Sequence, residues 1–118
     1  MGKSLAILFL LISQNACPIF SPCEQSIVRE VISPDGRFVA ILSLRVCGSD
    51  TGYDSIVRVN PSNDSLNRKG EVFVVNGERK MKLIWKDNSA VRVVCDTCEA
   101  NQIFRKESSV HGVVVTYE

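Results

Sequence analysis

The chain that follows Cys23 alternates apolar and polar residues with a period of two, and turn-forming residues interrupt the alternation about every ten positions. A period of two is that of a β-strand, in which successive side chains point to opposite faces. No stretch of about 12 residues in this part of the sequence shows the 3.6-residue period of an α-helix. The sequence therefore predicts an all-β domain, in which helix is restricted to a turn or two.

The alternation predicts about eight antiparallel strands in a single domain. They span residues 26–32, 37–47, 53–59, 71–75, 79–86, 90–94, 101–105 and 110–117. Two architectures would bury the alternating faces, a small sandwich and a strongly twisted, partly rolled meander.

Three connections between these strands have clear turn chemistry. Residues 33–36 (Ser-Pro-Asp-Gly) combine a proline, which fixes φ, with a glycine, which accepts a positive φ, and they predict a hairpin. Residues 60–70 are rich in Asn, Ser, Asp and Gly and predict a loop. The Asn-Gly pair at 76–77 predicts a two-residue hairpin that pairs residues 79–86 back onto residues 71–75.

Residues 1–16 have the features of a signal peptide. Lys3 and the amino terminus form a short positive region, and residues 5–12 are an unbroken apolar run. Since a helix needs about 20 apolar residues to cross a bilayer, this run is too short to span one alone. We therefore expect residues 1–16 to be removed on export.

The end of this segment is similar to that of a bacterial lipoprotein signal. Such signals place a small residue directly before a cysteine whose thiol is acylated, and here Ala16 precedes Cys17, with Gln14 where leucine is usual. The prediction is a lipid anchor on Cys17 that holds the protein on the periplasmic or extracellular side of a membrane. Residues 17–25 then form a tether and residues 26–118 the β domain. The alternative is a soluble secreted protein in which Cys17 is unpaired or linked to another chain.

The cysteine count fits an anchored protein. Exported proteins seldom keep free thiols, and acylation of Cys17 leaves an even set of four cysteines. Four cysteines permit three pairings. We favour Cys23–Cys47 with Cys95–Cys98, because each of these disulfides joins neighbouring segments.

Size and charge exclude some classes of protein. The chain has 14 basic and 13 acidic residues, and residues 1–16 contain Lys3 and no acidic residue, so the remaining chain is neutral. A nucleic-acid-binding domain would show a basic stripe, whereas here the basic residues are scattered. About 100 residues are enough for one core and too few for two.

Five short motifs are spread over nearly the whole chain after the signal segment. They are Cys23-Glu24, SPDGR at 33–37, CGSDTGY at 47–53, EVF at 71–73 and GVVVTYE at 112–118. They resemble an uncharacterised family of small bacterial envelope proteins that typically reads S-P-D-G-K, C-G-A-T-T-G-F and N-V-F, followed by a tryptophan-containing strand. The resemblance implies an exported all-β domain with a Cys23–Cys47 disulfide, and it implies no activity. This chain departs from the family at Ser49 and Asp50.

Cys95 and Cys98 form the one C-x-x-C motif of the chain. Redox proteins place the first cysteine at a helix N-terminus, where the dipole stabilises the thiolate, whereas this motif lies between two predicted strands. A zinc ribbon needs two close cysteine pairs, and the sequence has one. A structural disulfide is therefore the favoured interpretation.

No group of residues indicates catalysis or metal binding. His111 is the one histidine, so a nucleophilic triad would need it as base, and we interpret it as a strand residue at a core edge or facing solvent. Asp50 and Asp54 are too few for a calcium loop. We predict no catalytic residue, no metal and no cofactor.

One loop is a candidate binding site because it follows a predicted strand and is rich in small polar residues. It consists of Gly48, Ser49, Asp50, Thr51, Gly52 and Tyr53. The favoured interpretation is nevertheless a hydrogen-bonded turn.

The predicted function is that of a lipid-anchored envelope protein that binds or scaffolds an unknown envelope protein or ligand without catalysis, and that does not bind nucleic acid. A secreted inhibitor or immunity-type protein is the alternative, which the small size and the disulfides favour. An exported thiol oxidoreductase is a third hypothesis, which depends on Cys95 and Cys98 alone.

Overall fold

The computed structural model describes residues 23–47 and 52–118. This part of the chain forms nine β-strands and three 3-10 helices of three residues each. The strands are β1 (Glu24–Ile32), β2 (Phe38–Val46), β3 (Asp54–Pro61), β4 (Glu71–Asn76), β5 (Lys82–Asp87), β6 (Ala90–Val94), β7 (Ile103–Lys106), β8 (Ser109–Val110) and β9 (Val113–Tyr117). The 3-10 helices are Ser62–Asp64, Arg68–Gly70 and Ala100–Gln102. Within the described ranges, no helix has the length and apolarity that crossing a bilayer requires.

The strands form two sheets. Sheet A has the order β1-β2-β3-β4-β7, and all its neighbours are antiparallel. Sheet B has the order β5-β6-β9-β8, and its β6–β9 pair is parallel. The all-β prediction is confirmed, and the two sheets share one hydrophobic core, which is the sandwich alternative.

The shared core is built from alternating residues of both sheets. Sheet A contributes residues such as Val57 and Phe73, and sheet B contributes Leu83, Val91 and Val113, all at most 5 % exposed. Each such side chain contributes about 1.5–3 kcal/mol when it is fully removed from water. Burial alternates along β6 and β9, as the period-two pattern predicts, whereas β2, β3 and β4 are buried on both faces.

The turn at Ser33 to Gly36 forms the predicted β1–β2 hairpin. Its geometry depends on side chains as well as on Gly36, whose φ is +77°. The Ser33 hydroxyl donates to Asp35 Oδ1 at 2.9 Å and accepts from the Phe38 amide at 3.1 Å. The Asp35 amide donates to Asn88 Oδ1 at 2.9 Å, which ties this turn to the β5–β6 turn of the other sheet.

The hairpin predicted at Asn76-Gly77 is wrong. Gly77 has a positive φ of +94°, as the local rule requires, but β5 does not pair with β4. The Gly77 amide instead donates to the Tyr53 carbonyl at 2.7 Å, and its own carbonyl accepts from the Ser55 hydroxyl at 2.6 Å. The chain therefore leaves sheet A at this point and enters sheet B, and β7 occupies the edge of β4.

The last predicted strand, residues 110–117, is in fact two strands joined by a tight turn. Val110 pairs with Val113, and the residues between them, His111 and Gly112, have φ values of +54° and +79°. Two consecutive positive φ values are typical of a two-residue hairpin with glycine in second place. His111 is thus a turn residue, and its interpretation as a strand residue is wrong.

Candidate functional site

The four cysteines in the described ranges form two disulfides, Cys23–Cys47 and Cys95–Cys98. This is the pairing that the sequence favoured. The first disulfide joins the start of β1 to the residue after β2, and the second closes a short loop directly after β6. Cys17, the predicted lipidation site, lies outside the described residues.

The candidate binding loop is described only in part, because residues 48–51 lie outside the described ranges. Gly52 is exposed and has no atom within 4 Å of an added Cβ, and the Tyr53 side chain is 47 % exposed. Neither residue contributes to a cavity that the structure shows. Asp54 begins β3, opposite Arg45 of β2.

The sequence did not predict a cleft of about 670 Å³ that is lined by the middle of β1, by β2 and by the segment that leads into β5. We call it the β1–β5 cleft. Its apolar lining is aliphatic and comprises Val28, Leu42, Leu44, Met81 and Val94. Leu42 and Met81 are buried, whereas Val28 is 52 % exposed, so the cleft leads from solvent to the edge of the core.

Charged residues surround this aliphatic lining. Four are cationic, Arg29, Arg79, Lys80 and Lys82, and two are anionic, Glu78 and Asp96. The cleft therefore has a net positive charge, although residues 17–118 as a whole are neutral. This local excess favours an anionic group over a cationic one.

The four cations differ in their hydrogen-bond partners. The Arg79 guanidinium donates to the carbonyls of Asn76 and Thr97 at 2.8 and 3.0 Å and to Gln102 at 2.5 Å, all of which are uncharged groups. The three remaining cations, Arg29, Lys80 and Lys82, are exposed and have no ion-pair or hydrogen-bond partner among the described residues.

Two sheet edges that have no neighbouring strand among the described residues border the cleft. β1 is an edge strand of sheet A, and β5 is an edge strand of sheet B. The two strands are connected where Trp85 Nε1 donates to the Val31 carbonyl at 2.8 Å. Toward their N-terminal ends they separate, and the cleft occupies the space between them.

A second polar cluster, on the face of sheet A that points away from the shared core, is closed rather than open. Glu71 Oε2 accepts from Arg58 at 2.8 Å and from Arg45 at 3.3 Å and lies 3.6 Å from Arg68. Arg58 also donates to Gln25 at 2.7 Å, so this Glu71 cluster connects four adjacent strands. Burial raises the pKa of the Glu71 carboxyl, but the Arg58 hydrogen bond and the three guanidinium charges outweigh it and hold the pKa below its usual value.

The Glu71 cluster is structural rather than reactive. The side chains of Arg58 and Glu71 are 2 % and 9 % exposed, so a substrate has no access to them. Its residues also lie over the apolar Ile41 and Ile56, which are completely buried on this face. The cluster thus neutralises a carboxylate inside the fold, as buried charges require.

Two further polar residues have structural contacts. His111 Nε2 lies 3.1 Å from Asn60 Oδ1, which anchors the β8–β9 turn to the 60–70 loop. The Tyr117 hydroxyl lies 2.6 Å from the Glu107 carbonyl and 3.1 Å from the Val72 carbonyl. Burial and the Glu107 charge raise the pKa of Tyr117, so the phenol stays protonated at neutral pH. Within residues 23–47 and 52–118, no three His, Cys, Asp or Glu residues are placed to hold a metal ion.

No protein-family model matches this chain, and it matches neither a curated protein nor a solved structure. The resemblance to a family of bacterial envelope proteins therefore stays a prediction. The geometry of the site therefore carries the argument, and the β1–β5 cleft combines an aliphatic lining with three cations that have no partner among the described residues.

Proposed function

We propose that the protein is exported and anchored through Cys17 on the periplasmic or extracellular side of an envelope membrane, where its β domain acts as a non-catalytic binding module. The observation that carries the proposal is the pairing of Cys23 with Cys47 and of Cys95 with Cys98. Disulfides of this kind persist in oxidising compartments outside the cytoplasm. Acylation of Cys17 would leave the mature chain without a free thiol.

The binding role is supported by the β1–β5 cleft. Binding sites are usually concave and mostly apolar, with a few polar groups that fix the partner. The cleft has this composition, and its unpaired cations are available to a partner. The Cys95–Cys98 disulfide, by contrast, lies in an irregular segment after β6 and not at the start of an α-helix, which does not favour a thiol oxidoreductase.

The intact mass of the protein from membrane and soluble fractions tests the proposal, measured before and after reduction and alkylation. We expect a membrane-bound form that begins at Cys17, carries added acyl mass and is alkylated only after reduction. The Cys17→Ser variant should lose the acyl mass and leave the membrane fraction.

A matched control is Ser21→Ala, which changes the predicted tether but keeps Cys17. It should be processed and acylated like the natural sequence. A soluble, unacylated natural protein would contradict the anchor, and thiols that are alkylated without reduction would contradict the disulfides.

A further inference from the structure

We infer that the β1–β5 cleft binds an extended acidic segment of a partner protein, which adds to sheet A as a further strand along the outer edge of β1. This inference rests on the proposed binding function and specifies the chemistry of the partner. Its evidence comes from three independent features of the cleft: the free backbone of β1, the aliphatic lining and the unpaired cations.

The backbone of β1 is available for pairing at the cleft. The Ser33 amide donates to the Phe38 carbonyl at 2.9 Å, so in the β1–β2 register the backbone groups of Ser33 point toward β2. In an antiparallel strand, the N–H and C=O of one residue point to the same side and the direction alternates along the chain. The backbone groups of Val31 and Arg29 therefore also point toward β2, whereas those of Ile32 and Glu30 point away from it, to the outer edge of β1.

No described strand takes up these outward groups of β1. β5 approaches β1 at Trp85 and then separates from it, and the β1–β2 register shifts between Ile27 and Arg29. An unpaired strand edge is a template for a strand of another chain, and proteins usually cover or shorten such edges. In β1 the edge is nine residues long and has Ile27 and Val28 about half exposed.

The lining of the cleft suits an extended peptide. Side chains of a strand alternate between two faces, so every second side chain of a strand added to sheet A would point to the face that packs on the shared core. On that face the cleft opens beside β1, with the aliphatic side chains of Val28 and Met81 in its lining. Peptide recognition by strand addition combines backbone hydrogen bonds with pockets for alternate side chains in this way.

The charge of the cleft identifies the partner as acidic. Arg29 lies on the β1 side, and Lys80 and Lys82 lie on the β5 side, so an inserted strand would have cations on both flanks. A carboxylate on the alternate positions of the segment would pair with them, whereas a basic segment would be repelled. The negative charges of Glu78 and Asp96 reduce the net positive charge of the cleft but do not reverse its sign.

The test uses the purified protein in the form that the cell makes and a dye-labelled, end-capped short peptide that alternates valine and glutamate. Binding is followed by fluorescence anisotropy, and hydrogen exchange with mass spectrometry locates it. We expect saturable binding that weakens with added salt, together with slower exchange in the segment that contains β1. A peptide with lysine in place of glutamate should not bind.

Two variants and a modified peptide separate strand addition from general charge attraction. Lys80→Glu with Lys82→Glu should weaken binding by about tenfold, whereas Lys86→Glu, which replaces an exposed lysine of β5 outside the cleft, should change it less than twofold. Because these lysines are exposed and unpaired, the variants should keep the thermal stability of the natural protein. A peptide methylated on the amide nitrogens of one edge should lose binding, since it cannot pair with β1.

Several results would overturn the inference. They are equal binding of the lysine peptide, undiminished binding of the methylated peptide, protection outside β1, and no binding at millimolar protein concentration. Binding of dodecanoate to the cleft without binding of the peptide would also overturn it and would assign the cleft to an anionic amphiphile. None of these results depends on the mass of the mature protein. The mass measurement therefore tests the proposed export and anchoring independently of peptide binding.

Discussion

Asn60 shows how a single buried polar residue organises an irregular part of this protein. Its side chain is completely buried, and its amide donates to the carbonyls of Ser65 and Asn67 at 3.1 and 2.7 Å. The 60–70 loop has no strand pairing of its own at these positions. The Asn60 amide satisfies its backbone carbonyls instead, as buried backbone groups require. Gly70 lies against the same side chain, and a Cβ there would overlap the Asn60 amide.

We therefore expect Gly70→Ala to destabilise the protein by about 1–3 kcal/mol, because the added methyl group forces Asn60 away from its hydrogen-bond partners. The control is Gly52→Ala, where an added Cβ meets no atom within 4 Å. Urea unfolding followed by circular dichroism measures both. Equal midpoints for the two variants would contradict the role given to Asn60.

At the scale of elements, the two sheets are connected by β1 and β5 as well as by their common core. Trp85 packs against the core and donates its indole N–H to the Val31 carbonyl, which fixes β5 to the edge of β1 at one end of the β1–β5 cleft. This contact sets where the two strands begin to separate and so sets the inner limit of the cleft.

Trp85→Phe should cost about 2 kcal/mol, from the lost hydrogen bond and the reduced apolar contact. Tyr53→Phe changes an exposed aromatic residue and should have little effect on stability. Thermal unfolding compares the two variants, and hydrogen exchange should show faster exchange in β5 for Trp85→Phe alone. Unchanged exchange in β5 would contradict the contact as the link between the sheets.

The Glu71 cluster connects the four adjacent strands β1, β2, β3 and β4 through charged side chains, so their packing depends on charge. Glu71→Gln should destabilise the protein by about 3 kcal/mol at neutral pH, because it leaves Arg58, which is 2 % exposed, without its counter-charge. The matched control is Glu118→Gln, which removes a surface ion pair with Arg92 and should cost at most about 1 kcal/mol. Urea unfolding of both variants measures the difference, and equal effects would contradict a buried role for Glu71.

The same cluster predicts a pH dependence. Since the folded state holds the pKa of Glu71 below its usual value of 4.5, the stability that its carboxylate contributes is complete above that value and is lost as the pH falls through the lower folded pKa. The stability difference between the natural protein and Glu71→Gln should therefore narrow in acid. A difference that stays constant from neutral pH into this acidic range would contradict the assigned shift.

Sequence reasoning succeeded where the signal is local. The period-two alternation and the Ser33 to Gly36 turn depend on neighbouring residues, and the first hairpin and every predicted strand before residue 110 have a counterpart in the structure. The partners of β4 and β5 are not local. Asn76-Gly77 satisfies the rule for a tight hairpin, but Ser55 and Tyr53 hold Gly77 in a crossing between sheets instead.

The sequence did not predict the candidate site for a similar reason, because its residues are far apart along the chain. The β1–β5 cleft combines residues from four separate stretches, 28–29, 42–44, 78–82 and 94–96, and no one of these forms a motif. The sequence contains only a weak signal of the cleft, the pair Lys80 and Lys82, which alternate with Met81 and Leu83. That pattern indicates a solvated strand face equally well, so the lysines acquire significance only beside Arg29 of another strand.

At the scale of the whole molecule, two disulfides cross-link the described domain. Cys23–Cys47 closes a loop with a sequence separation of 24, and Cys95–Cys98 closes one with a separation of 3. Removing the first by Cys23→Ser with Cys47→Ser should cost about 3.5 kcal/mol, and removing the second by the matched double replacement about 2 kcal/mol, because the longer loop restricts the unfolded chain more. Urea unfolding of the two double variants tests the order, and a larger loss for the Cys95–Cys98 pair would contradict it.

The parallel β6–β9 pair has a consequence for the order in which the protein can assemble. β4 and β6 each receive a neighbour from the last part of the described chain, β7 and β9 respectively, after several intervening strands. A chain that emerges from a translocation channel in sequence order can form the β1–β2–β3–β4 meander early, but it leaves an open edge on β4 and on β6 until residues 103–117 arrive. During that interval the two edges would be exposed to other chains. If the protein is exported as proposed, a pause near the end of translocation should therefore be the moment when it is most prone to aggregate.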